Sequence, residues 1–317
     1  MINKDSKIFI AGHNGLVGSA IYDLLKKKKF NKILIVNRKK LDLRNSNKVF
    51  DFFKKNKIEF VIICAAKVGG IMANSTYPTE FLIENIEIQN NILKASMKFN
   101  IKRVIFLGSS CIYPKASKTP IKEDVLLNGK LEKTNEAYGL AKITGIKLSE
   151  YMFKQYKRDM ICLMPTNIYG INDNFNSFSS HVIPGMITKF INAKKNRGNV
   201  ELLGTGKPLR EFLYVDDLAE AIFLALKINK NSIKKVFNKE FPLMNVGSGR
   251  NISIKKLAYL IKDITNFKGK IKFNSNYPDG VFKKNLNSNK IRKLGWAPKI
   301  KLEEGLKRII LSKEAIN

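Results

Sequence analysis

Ala11-Gly-His-Asn-Gly-Leu-Val-Gly18 closes an apolar run that begins at Ile8 and opens a helical pattern over 15–30. Three glycines at a strand-to-helix turn, Gly12, Gly15 and Gly18, let a backbone come close to a pyrophosphate. The helix amino terminus behind them adds free N–H groups and positive potential. A lone glycine turn is weak evidence, but this one ends the first strand of a chain that keeps alternating. Apolar runs at 33–36, 60–65, 104–107 and 160–164 are separated by helical patterns at 45–55, 81–99 and 136–156. Strands spaced by helices need crossover connections, which set the strands parallel with helices on both faces. The reading is α/β, a Rossmann-type doubly wound parallel sheet.

After Pro165 the pattern turns irregular, with a polar stretch at 172–180, a helix at 183–192 and short runs such as Glu201-Leu-Leu203. This divides the chain into a nucleotide-binding part at 1–170 and a smaller C-terminal α/β substrate part at 171–317, with 212–230 returning to the first. At 317 residues and 44% apolar, the chain can bury a substantial core. Its net charge of +32 raises the question of nucleic acid, since clustered Lys and Arg neutralise phosphates. The basic residues are instead spread over the whole chain, which favours a solvated basic surface or an anionic small substrate. No leader and no apolar stretch of spanning length is apparent, so the expectation is a cytoplasmic protein without a membrane partner. Three cysteines and two histidines carry neither disulfide nor metal spacing, so no metal is expected; Cys64 and Cys162 read as buried, inert thiols.

The second strand discriminates between cofactors, because a carboxylate at its end bonds the ribose 2′-hydroxyl of NAD and repels the 2′-phosphate of NADP. Val36-Asn37-Arg38-Lys39-Lys40 has no acid there. NADP is favoured, with Arg38 as the phosphate partner because a guanidinium binds two phosphate oxygens at once. Lys39 and Lys40 read as part of the general basic surplus.

Further on, Tyr138 and Lys142 stand four apart on a helical pattern and share a face. A tyrosine must fall by about 3 pKa units, or about 4 kcal/mol, to titrate near neutrality, and a nearby ammonium supplies part of that. Ser109 and Cys111 follow the apolar run 104–107, where ligands enter open α/β sheets. Ser109 is placed to donate to a carbonyl oxygen, and Cys111 to take a proton from an adjacent carbon once Lys142 or a histidine lowers its pKa. His181, in Ser179-Ser-His-Val-Ile-Pro184, is the candidate acid for returning a proton. The bland readings are a small loop cysteine and a helix-start histidine with no chemistry.

Taken together, these stretches resemble the extended short-chain dehydrogenase/reductase family, as do Ala65-Ala-Lys-Val-Gly-Gly-Ile71, Met164-Pro-Thr-Asn-Ile-Tyr-Gly170, Arg210-Glu-Phe-Leu-Tyr-Val-Asp-Asp217 and Asn245-Val-Gly-Ser-Gly249. Within it the chain is similar to the branch that epimerises GDP-4-keto-6-deoxy-D-mannose at C3 and C5 and reduces it at C4 with NADPH. The resemblance implies Ser109, Tyr138 and Lys142 for reduction, with Cys111 as base and His181 as acid in epimerisation. It places Gly12, His13, Asn14, Gly15, Leu16, Val17, Gly18, Leu107, Gly108, Ser109, Ser110, Lys142, Pro165, Thr166, Asn167, Ile168 and His181 around the cofactor. It implies Lys189, Arg210 and Asp279 as contacts to a GDP-sugar, with Leu203 at the pocket wall, and a homodimer through the helices starting at Phe81 and Glu136. Bacterial members often carry arginine where this chain has Asn14 and tryptophan where it has Leu203. The alternatives are another sugar-nucleotide epimerase or dehydratase of the same family, and a silent dinucleotide sensor, which would not need to keep Tyr138 and Lys142.

Overall fold

The computed structural model describes residues 2–277, 279 and 281–314. The first half runs β1 (Ile8–Ala11), α1 (Leu16–Lys27), β2 (Ile33–Leu34), α2 (Ser46–Asn56), β3 (Phe60–Ile63), α3 (Ile71–Thr76), α4 (Pro78–Lys98), β4 (Arg103–Leu107), α5 (Glu136–Tyr156) and β5 (Met160–Pro165). The second half continues with β6 (Asn167–Tyr169), α6 (Val182–Lys195), β7 (Val200–Leu203), β8 (Leu209–Tyr214), α7 (Val215–Lys227), α8 (Lys230–Phe237) and β9 (Leu243–Val246). It ends with β10 (Asn251–Ser253), α9 (Ile254–Ile264), β11 (Ile271–Asn274), β12 (Lys283–Lys284), α10 (Asn289–Lys293) and α11 (Leu302–Glu314).

Six strands form one parallel sheet in the order β2-β1-β3-β4-β5-β9. Because both faces are covered, its strands read as nearly unbroken apolar runs, and successive side chains divide between two cores. Phe9, Val61, Val104, Phe106 and Met164 point into a core shared with residues of α2, α4 and α5. Ile8, Ile10, Ile62, Ile105 and Leu163 point into the opposite core, filled by Ile21 and Leu25 of α1 and by Leu218 and Ile222 of α7. Buried Arg103 ties α7 to the sheet. It donates to the carbonyls of Ala225, Leu226 and Ile228 at 2.6–3.1 Å and pairs with Asp159 at 2.9 Å. Carbonyls at a helix carboxyl end have no intrahelical donor, so a guanidinium there satisfies several at once.

The later chain forms two smaller sheets, one built on β8 with β10 antiparallel and β12 and β6 parallel, the other a parallel pair of β7 and β11. A third core joins them to α6, α9 and α11 through Ile187, Phe190, Leu257 and Ile309. Two details differ from the sequence reading. In the 212–230 segment the helix packs under the large sheet together with Leu213, while the strand that carries Leu213 pairs in the second sheet. The sixth strand, β9, escaped notice because Asn245 interrupts a four-residue run. Asn245 is nonetheless fully buried, accepting from the Tyr113 hydroxyl at 2.6 Å and donating to the Ile121 carbonyl at 2.9 Å.

Helix α1 crosses the first turn so closely that a Cβ on Gly18 would lie 2.0 Å from the Gly12 carbonyl oxygen. No side-chain rotation relieves a backbone contact. Gly18→Ala is therefore expected to lower stability by about 3 kcal/mol, as overpacking does when only backbone can yield, measured by urea unfolding; a loss below about 1 kcal/mol would mean that α1 is free to shift.

Candidate active site

In a parallel sheet every strand ends at the same edge, and here that edge collects the predicted cofactor residues. The registers of Ala11 beside Ile63, Ile63 beside Phe106, Leu107 beside Leu163 and Pro165 beside Val246 set the strand ends in one row. Gly12 leaves the row at φ 88°, and a Cβ there would fall 2.7 Å from the Ala65 backbone. Gly15 is the N-cap of α1, with no side-chain bond across the helix end and no acid in the first turn. The Gly12 carbonyl, at 3.5 Å, is the one atom near its missing Cβ. An open, uncapped helix end fits a diphosphate.

Asn14 is exposed at that end, and burial lowers the His13 imidazole from its ordinary pKa. Leu16, Val17 and Ile168 are partly buried against the third core. Gly108 donates its N–H to Leu163 at 2.9 Å, holding the turn through Ser110 beside the start of the Pro165 turn. There the Thr166 hydroxyl and the Asn167 amide both donate to the Glu211 carbonyl, at 3.1 and 2.8 Å. Arg38 is exposed and lies 3.4 Å from Glu84, which also meets Arg44 at 3.3 Å and Lys67 at 2.6 Å. These cations, led by the Lys67 hydrogen bond, hold the Glu84 carboxyl below the usual carboxylate range. Arg44, which the sequence reading passed over, brings a second guanidinium to the carboxylate oxygen that Arg38 uses. Its signal was weak because basic residues are everywhere in this chain.

Ser109, Cys111, Tyr138 and Lys142 form one contiguous group. Ser109 caps a short 3₁₀ turn at Ser110–Ile112, accepting the Cys111 N–H at 3.2 Å, and its side chain is close enough to the Tyr138 phenol to influence its ionisation. A Cβ on Gly139 would come 3.1 Å from the Cys111 carbonyl, so the glycine allows α5 to lie close to this turn. Part of the Tyr138 ring meets solvent, but protein surrounds the hydroxyl. Burial pushes the phenol well above its ordinary pKa, Cys111 adds to the rise, and Ser109 opposes it. Lys142 is buried, and its Nζ donates to the Leu107 carbonyl at 2.9 Å. That Nζ lies 5.8 Å from the centre of the Tyr138 ring, and burial holds its pKa down at about 8.

The sequence reading gave Lys142 or a histidine the task of activating Cys111, and the structure differs. The group on the Cys111 sulfur is the side-chain amide of Asn135, with Nδ2 3.2 Å from Sγ. Cys64 is pushed up to about 12 by burial, and burial also pushes Cys162 up, as inert thiols require.

His181 stands on a separate element as the exposed N-cap of α6, its Nδ1 3.7 Å from Asp173 Oδ1. Asp173 was missed because 172–180 read only as an irregular polar stretch; its Oδ2 is buried with no hydrogen-bond partner. The loop is anchored to the start of α3 by Gly70 N–H donating to the Ser179 carbonyl at 2.9 Å. Lys189, further along α6, donates to the Glu201 carbonyl of β7 at 2.8 Å, and Leu203 is exposed at the end of that strand. Arg210 donates to the Val281 carbonyl at 2.6 Å. Burial lowers its pKa, against the opposing charges of Asp279 and Glu132. Asp279 accepts the Thr205 N–H at 3.0 Å and the Thr205 hydroxyl, and these bonds hold its carboxyl below the usual range. Arg210 and Asp279 are thus brought together.

The family model described as "NAD dependent epimerase/dehydratase family" matches residues 8–238. The chain is 46% identical to a putative GDP-L-fucose synthase 2 of Arabidopsis thaliana, over 96% of this chain and 91% of that one. It is 42% identical to the GDP-L-fucose synthase of Escherichia coli, over 95% of this chain and 94% of that one. The solved structure of a GDP-L-fucose synthetase from Naegleria fowleri bound to NADP superposes with a TM-score of 0.88 at 28% identity, covering 99% of this chain and 96% of that one.

Lys142 carries a stability signature. Its pKa of about 8 lies below the unfolded lysine value of about 10.4. Between these values the unfolded chain binds more protons, so the cost of burying the charge is full below the folded pKa and vanishes above the unfolded one. Lys142→Met is therefore expected to be most favourable relative to the parent at pH 7, with that advantage shrinking by on the order of 3 kcal/mol as the pH rises past 10. Chemical unfolding without cofactor measures it, and a pH-independent difference would show that the buried amine does not titrate in this range.

Proposed function

The chain belongs to the NAD dependent epimerase/dehydratase family, and on that footing we infer that it converts GDP-4-keto-6-deoxy-D-mannose to GDP-L-fucose. The observation that carries the reading is Cys111 standing beside the Ser109 and Tyr138 hydroxyls in one group. A 4-keto group acidifies the hydrogens at C3 and C5, because either carbanion is delocalised onto the same oxygen. Ser109 and Tyr138 hold that oxygen, so one binding site serves three steps. At each carbon in turn Cys111 removes the proton and His181, with Asp173 behind its Nδ1, returns one on the opposite face, the thiol and imidazole exchanging protons with water before the second round. Reduction comes last, since it destroys the ketone that makes the carbons acidic.

NADPH, when bound, supplies the hydride that reaches C4. Gly12 to Gly18 would hold its diphosphate, Arg38 and Arg44 its 2′-phosphate, and Leu107 to Ser110 with Pro165 to Ile168 its nicotinamide end. Tyr138 donates the proton that completes the alcohol, and Lys142 orients it from below while bonded to Leu107. Lys189, Arg210 and Asp279 would meet the GDP-sugar, the two cations facing its diphosphate and Asp279 its sugar hydroxyls, with Leu203 at the wall. Residues 1–170 with α7 and β9 serve the cofactor, and most of 171–317 serves the substrate. Exposed Ile83 of α4 and Leu140 and Tyr151 of α5 support a homodimer built on these two helices. Among the described residues no helix is long and apolar enough to cross a membrane, and the cytoplasm is the proposed location.

Incubation of the purified protein with GDP-4-keto-6-deoxy-D-mannose and NADPH in deuterated water should yield GDP-L-fucose carrying deuterium at C3 and C5. A reduced product without that label would leave a 4-reductase alone. Cys111→Ser should abolish incorporation, and Tyr138→Phe should retain it while losing NADPH oxidation. Arg38→Ala should raise the KM for NADPH at least about tenfold, as loss of a charge-assisted phosphate contact does, and leave that for NADH unchanged. Equal effects on both cofactors would remove Arg38 from the 2′-phosphate.

A further inference from the structure

Asn135 occupies the position at which a side chain ordinarily caps a helix. It is the N-cap of α5, and asparagine is among the best residues there because its oxygen accepts an N–H from the first turn. This chain uses asparagine that way elsewhere: Asn45 accepts from Lys48 at the start of α2, and Asn229 from Ser232 at the start of α8. At α5 no side-chain cap bond forms. The amide turns to Cys111 instead, with Nδ2 3.2 Å from Sγ, and its Oδ1 is left buried without a partner. A favourable cap is given up and an acceptor is left bare, and both are locally unfavourable. What is obtained in exchange is an N–H on one sulfur atom.

We propose that Asn135 is the positioning residue for the epimerisation base, its amide N–H holding the Cys111 sulfur in place and favouring the thiolate. The proposal rests on the reading of Cys111 as that base. A donor to an anion loses most of its worth when the anion is protonated, so the contact acts on the form that removes the proton. Other groups are poorly placed for the task. The Cys111 N–H is directed at Ser109 Oγ, Tyr138 is the titratable group facing the sulfur from α5, and Lys142 is bonded to the Leu107 carbonyl beneath the tyrosine ring. On the segment leading into α5, Glu132 pairs with Lys115, while Lys133 and Glu136 are exposed.

Asn135→Asp and Asn135→Ser separate this role from helix capping, because both residues are good caps and neither offers the amide N–H. Each is expected to unfold at or above the parental temperature. The pH midpoint of Cys111 alkylation by iodoacetamide, followed by peptide mass, should rise in both. In Asn135→Asp the rise should be at least about one pH unit, since a like charge then faces the thiolate. Deuterium incorporation into the sugar at neutral pH should fall about tenfold in step with that midpoint. A parental alkylation midpoint in either variant overturns the proposal. If Cys111→Ser keeps the parental incorporation rate, the base assignment fails instead, while the alkylation profile still judges Asn135 separately.

Discussion

Parallel pairing is the constraint from which the site follows. Because β1, β3, β4, β5 and β9 run in one direction, each delivers its next residues to the same edge, and the turns after Ala11, Ile63, Leu107, Pro165 and Val246 become neighbours. Residues nearly a hundred positions apart, such as Gly12 and Gly108, are thereby fixed in a row without a contact of their own. The connections must be helical crossovers, and these cover both faces and keep water from the strand backbones. Closing this edge requires backbone to lie against backbone, which is why Gly12 and Gly18 have no room for a Cβ.

The same arrangement works against the charged and polar groups placed on it. Lys142 is carried into the interior by α5, where burial favours its neutral form, and the Leu107 carbonyl accepts a hydrogen bond from it. The Tyr138 phenol is likewise pushed toward its protonated form, which is the form a proton donor needs. Asn135 and Asp173 each keep a buried oxygen without a partner beside Cys111 and His181. Unsatisfied groups of this kind are unfavourable to the fold, and two of those in this structure stand beside the residues proposed to do the chemistry.

Much of this was legible in the chain. The chain from Ile8 to Met164 alternates short unbroken apolar runs with stretches of helical period, and parallel, doubly covered strands are the arrangement that buries such runs. The glycine turn, the acid-free end of the second strand and the pairing of Tyr138 with Lys142 depend on spacings of a few residues, so local geometry preserves them. β9 was hidden by Asn245, whose amide is satisfied by Tyr113 and Ile121, partners more than a hundred residues away. Asp173 and Asn135 were hidden for a related reason, since asparagine and aspartate before a helix read as caps or loop residues.

Sequence by itself determined the fold class and the end of the sheet where the glycine turn lies, and it put forward Ser109, Cys111, Tyr138, Lys142 and His181 as the candidate reactive set, because these rest on local periodicity and side-chain chemistry. Tertiary structure alone decided which atoms touch: that Lys142 serves the Leu107 carbonyl and not the Cys111 sulfur, that Asn135 turns away from its helix, and that Asp173 stands behind His181. The physical reason is that burial and hydrogen-bond direction are properties of an environment assembled from distant segments, and a side chain's role is set by the partners that environment leaves within reach.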